Sequence, residues 1–137
     1  MTIDLLGTQE DQKAFSYWLA DFPAFAAVDR FWLEPGGARA LILGGKLELD
    51  LGLNVENGAL LITFEAAREK ALGSIKLPPA AWLWKVAEVV RTAKVAAPPW
   101  LTLALVERVL RVEVAGWVFA RVLVSHERLI LEAIPDA

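Results

Sequence analysis

Residues 46–66 read KLELDLGLNVENGALLITFEA. Leu47, Leu49, Leu51, Leu53 and Val55 alternate with Lys46, Glu48, Asp50, Gly52 and Asn54. Successive strand side chains point to opposite faces, so this period of two predicts a strand with one apolar and one polar side. Asn57-Gly58 follows, the dipeptide best suited to a two-residue hairpin turn, because both positions must accept φ > 0. The chain then returns through ALLITFEA (59–66). Upstream, ARALIL (38–43) joins through Gly44-Gly45, a second hairpin-competent pair. Residues 38–67 are therefore expected to form a three-stranded antiparallel meander.

Outward from this meander the period changes. Towards the N-terminus, Ala14, Phe15, Trp18, Leu19 and Phe22 follow helical spacing behind Thr8, a candidate cap, with Asp11 three residues on. Pro23 suits the first turn of a second helix, with Phe25, Val28 and Phe31/Trp32 on its apolar side and Glu34-Pro35-Gly36-Gly37 as its stop. Residues 1–35 are thus expected to be helical. Towards the C-terminus, VLRVEVA (109–115), WVFARVLVS (117–125) and RLILEAI (128–134) predict a second three-stranded meander over 109–134. WLTLALVER (100–108) fits neither period cleanly; it is read as a short helix leading into a strand. The fold class expected is α+β in a single domain: two meanders in a curved sheet of about six strands, N-terminal helices, and a central amphipathic helix over 79–95 on one face.

That central helix lies in GSIKLPPAAWLWKVAEVVRTAK (73–94). On a helix advancing about 100° per residue, Trp82, Leu83, Val86, Val89, Val90 and Ala93 share a face, and Lys85, Glu88 and Thr92 oppose it. Trp82 is the core residue. Trp84 falls on the polar side, between Glu88 and Arg91. Two readings are open for it: burial under another segment of its own chain, either APPWL (97–101) or the N-terminal helices, or contact with a subunit or ligand. Trp100, Trp32 and Trp117 invite the same pair.

Composition bounds the chemistry. Of 137 residues, 56% are hydrophobic, with six Trp and six Phe, which points to an aromatic core or to apolar surface facing a partner. There is no cysteine, so disulfide and thiolate chemistry are excluded. The net charge is −3, with −4 on residues 1–35 (six acids, two bases) and +1 on the rest. A mildly acidic chain without a basic stripe is not expected to bind nucleic acid. MTIDLLGTQEDQ lacks the basic and apolar regions of a signal peptide. The longest charge-free run, Val95–Val106, is too short to span a bilayer, so a soluble, cytoplasmic protein is expected.

Catalytic groups are scarce. His126 is the only histidine and sits in an expected turn; Ser16, Ser74 and Ser125 lack a nucleophile-elbow setting. Glu48, Asp50 and Glu56 share a strand face and form the one conceivable hard-cation set, but they are equally the wet side of a sheet. Gly36-Gly37 and Gly44-Gly45 lack phosphate-loop spacing. Arg108, Arg111 and Arg121 are offset by Glu107 and Glu113. No catalytic, metal or cofactor site is assigned, and an enzyme is not expected.

NGALLITFEAAREKALGSIKLPPAAWLWKVAEVV (57–90), followed by PPWL and a meander, resembles the bacterial tubular lipid-binding-like domains, which include the LmeA-like phospholipid-binding proteins. The resemblance covers roughly residues 38–134 and rests on pattern and on GSIKLPP. It implies a curved sheet with an apolar groove under a helix. The expectation that follows is a non-enzymatic module holding an apolar or lipid-like ligand. Leu47, Leu49, Leu51, Leu53, Ile62, Phe64, Trp82 and Val86 would line the groove, and Lys76 or Lys85 would meet a head group. The alternative is a protein-interaction or self-assembling homodimeric domain, in which the same residues form a closed core and Trp84, Trp100 and Trp117 make the interface.

Overall fold

The computed structural model describes residues 2–6, 28–34, 37–70, 73, 75–124 and 128–136. Its elements in chain order are β1 (Thr2–Leu6), β2 (Val28–Glu34), β3 (Gly37–Ile42), β4 (Leu47–Glu56), β5 (Ala59–Glu69), β6 (Ile75–Lys76), α1 (Pro79–Ala96), β7 (Leu101–Val106), β8 (Val109–Val114), β9 (Trp117–Val124) and β10 (Arg128–Pro135). All strand pairs are antiparallel. The larger sheet has the order β2-β3-β4-β5-β8-β7, with β6 on β5; the smaller has the order β1-β10-β9. Among the described residues, one helix and a large antiparallel sheet make the class α+β.

The first meander forms as its alternation requires. Asn57 and Gly58 both take positive φ, 50° and 78°, and close the β4–β5 hairpin. The β3–β4 connection is longer than the expected two-residue turn. It runs through Leu43, Gly44, Gly45 and Lys46, the first three at positive φ, and the Gly45 amide donates to Asp29 Oδ2 at 2.9 Å. A bulge between Asp50 and Leu51 keeps the leucine side in phase: Leu49 lies opposite Ala67, Leu51 opposite Phe64 and Leu53 opposite Ile62.

Three expectations are corrected. The expected helical segment 1–35 contains strands at Thr2–Leu6 and Val28–Glu34, and the helix expected over 8–20 lies outside the described residues. In 28–34, period two overrides the helical reading. Leu33 pairs with Ala38, and Phe31 with Ala40, on the core side, whereas Trp32 pairs with Arg39 on the other. Secondly, 100–108 holds strand β7 and a two-residue turn, not a helix. Buried Leu101 and Leu103 alternate with exposed Thr102, and Glu107 turns the chain at φ 55°. Thirdly, 109–134 is not one meander. Strand β8 is flanked by β5 and β7, which leaves β9 and β10 to pair with each other and with β1 in the smaller sheet. The two halves therefore differ in strand pairing.

The two sheets meet at the tip of the central hairpin, where the Phe119 amide donates to the Gly58 carbonyl at 2.9 Å. Val122, Val124 and Leu129 of the smaller sheet join the main apolar cluster. Helix α1 begins at Pro79, whose fixed φ and missing N–H suit a first helical position, and ends with Lys94 in its last turn. Trp82, Val86, Val90 and Ala93 are buried against the sheet, as the wheel expects. Among the described residues, no helix is long and apolar enough to cross a membrane.

Candidate functional site

The eight apolar residues expected to line a groove are brought together, but as a packed core. Leu47, Trp82 and Val86 are each 1% exposed. Leu49, Leu51 and Phe64 are buried in the same cluster, and Leu53 and Ile62 pack against it half-buried. The helix lies directly on the leucine side of the sheet, and the Trp82 ring is stacked under the Arg108 guanidinium at 5.9 Å. An open channel between sheet and helix is replaced there by side-chain contact. Of the two lysines expected at its mouth, Lys76 is exposed on β6, opposite Arg68, and Lys85 is held by Glu69 at 4.0 Å.

The polar side of β4 is not wet in the manner its sequence suggests. Glu48 is only 5% exposed and lies between Arg39 and Lys70, each at 3.8 Å. Asp50 meets Arg39 at 3.1 Å and accepts from Arg68 Nη1 at 2.7 Å. That hydrogen bond raises the Arg68 pKa above its ordinary value, against burial and with help from the charges of Asp50 and Glu48. Glu34 completes the chain at 3.6 Å from Arg39. Glu48 and Asp50, two of the three acids read as a conceivable cation site, are thus neutralised by Arg39, Arg68 and Lys70. Among the described residues no group of three or more His, Cys, Asp or Glu is arranged to hold a metal.

The three arginines of the C-terminal half engage different partners: Arg108 lies on Trp82, Arg111 pairs with Glu113 at 2.5 Å, and Arg121 pairs with Glu132 at 2.5 Å. His126, Ser16, Ser74 and Ser125 lie outside the described residues.

Trp84 is 60% exposed on α1, so none of the described residues, APPWL (97–101) included, buries it. The N-terminal helical segment, the other cover expected for it, has its residues 7–27 outside the described residues. Lys85 Nζ lies 5.7 Å from the Trp84 ring centroid. Beside it, Leu43 of the β3–β4 turn is 41% exposed. Trp84, Leu43, Val89, Lys85, Glu88 and Thr92 line an open, mostly apolar depression of ≈ 390 Å³. In the sequence Leu43 reads as the last residue of a strand, which hides its place at this site. The neighbouring Gly44-Gly45 was the available signal that the chain turns there. Trp100 is 46% exposed and Trp117 half-buried; neither is among the described residues that line this depression. The expected trio of interface tryptophans therefore does not assemble at this site.

No family model, curated protein or solved structure matches the chain. Function therefore rests on its residues alone.

Proposed function

We propose that this chain is a non-enzymatic protein-interaction module whose contact surface is centred on Trp84 and Leu43. The observation that carries this reading is the exposure of a tryptophan on a helix whose opposite side is already fully engaged in the core. A Trp left in water forgoes the burial free energy of a large apolar ring, and Trp is over-represented among residues that dominate binding energy. The depression beside it offers an apolar floor with Lys85, Glu88 and Thr92 at the edge, an arrangement of apolar centre and polar rim. The lipid-like alternative would need the ligand between helix and sheet, where Trp82 and Leu47 make the core.

Native mass spectrometry of the purified protein tests the reading. The expected result is a complex with another polypeptide chain, a second copy included, that is lost in Trp84→Ala. A small apolar adduct that is removed by organic extraction, with no protein complex, would overturn it in favour of ligand binding.

A further inference from the structure

Resting on that interaction reading, we infer that the partner is a second copy of this chain, joined through antiparallel pairing of α1 with α1. The outward side of α1 carries a self-complementary stripe. On a helix advancing about 100° per residue, Trp84, Glu88, Arg91 and Val95 fall within about 60° of one another. All four are exposed; Val95, at 86%, is a β-branched apolar residue almost wholly in water. The order along the stripe is apolar, acidic, basic, apolar. Positions 84 and 95 have the same midpoint as positions 88 and 91. A two-fold axis through that midpoint therefore sets Trp84 against Val95 of the partner subunit, and Glu88 against Arg91 of the partner subunit, each contact made twice.

No parallel arrangement does this, since it would set Glu88 against its own copy. An apolar partner of another kind would use Trp84 but would leave Glu88 and Arg91 without a role. Within one chain these two form an i,i+3 ion pair with each other, and Thr92 Oγ1 donates to the Glu88 carbonyl at 3.0 Å. On pairing, each charge exchanges or shares that partner across the axis. The flanks allow approach: Ala80 and Ala87 are exposed small residues on one side of the stripe, and the Leu43 depression lies along the other. Helices pack with axes roughly 8–10 Å apart, closest where small residues lie at the contact.

Sedimentation equilibrium of the intact protein tests the pairing, with circular dichroism to confirm folding. The wild type is expected at twice the 15.0 kDa chain mass. Trp84→Ala is expected to raise the dissociation constant at least about thirtyfold. Glu88→Arg makes positions 88 and 91 both basic, and Arg91→Glu makes both acidic. Each variant alone is expected to dimerise at least about tenfold more weakly, through two repulsive contacts per dimer. An equimolar mixture is expected to regain the dimer as a heterodimer, which an effect confined to one helix would not produce. A dimer that survives both single reversals, or variants that do not complement on mixing, would overturn the pairing. A wild-type monomer would overturn it too; a Trp84-dependent complex with a different protein would then leave the interaction reading standing, and its absence would remove both.

Discussion

The polar side of α1 and the polar side of β4 look alike in sequence and differ in space. Each is the charged half of an amphipathic pattern. On α1 the side chains of Glu88 and Arg91 are 58% and 72% exposed, and among the described residues they pair with each other, within the helix. On β4 the side chains of Glu48 and Asp50 are 7% and 20% exposed, and their partners come from β3, from β5 and from Lys70 just beyond it. The difference follows from geometry. A helix presents its neighbours to one another only along itself, at i,i+3 and i,i+4. A central strand is flanked on both sides about 4.8 Å away, so Arg39 and Arg68 stand directly beside its acids. Amphipathic pattern states which side avoids the core; it does not state whether water or protein meets the other side.

The contrast is testable by substitution, read as unfolding free energy from denaturant melts. The largest effect belongs to the side both patterns turn inward. Trp82→Ala should cost about 3–5 kcal/mol, whereas Trp84→Ala, two residues on, should cost the monomer under about 0.5 kcal/mol. Near-equal losses would erase the distinction between the two rings. Next comes Glu48→Ala, expected to cost about 1–3 kcal/mol because Arg39 and Lys70 lose a shielded counter-charge. A change as small as that for a surface acid would mean that Glu48 is effectively solvated. Gly37→Ala should fall in a similar range, about 1–3 kcal/mol, since a Cβ there would overlap the Leu51 carbonyl oxygen across the β3–β4 ladder. Smallest is Glu88→Ala, expected to change monomer stability by no more than about 0.5 kcal/mol, and less in high salt, as for exposed ion pairs generally. A loss matching that of Glu48→Ala would break the comparison outright.

Legibility varied with how local the deciding physics was. The β4–β5 hairpin was readable because alternation and Asn57-Gly58 are local signals that agree. The phase of α1 was readable for the same reason, and it separated Trp82 from Trp84 correctly. Strand β2 is not legible because Val28, Phe31 and Trp32 also fit a helical spacing; only the ladder with β3 selects the extended form. Strand β7 is not legible because Leu101–Val106 is too apolar for its period to show. At the candidate site, Trp84 was legible and Leu43 was not, because their proximity joins a helix to a turn some forty positions earlier in the chain.

By itself the sequence determined an antiparallel α+β chain with a central hairpin, one core-facing helix and a tryptophan on the wrong side of it. These follow from periodicity and turn chemistry, which act over a few residues. Tertiary structure alone decided that β8 pairs with β5 rather than with β9, that the leucine side closes on Trp82, that Glu48 is enclosed by cations, and that Trp84 stays exposed beside Leu43. Those outcomes depend on which distant segments compete for one strand edge or one face, and that competition is settled by packing the whole chain at once.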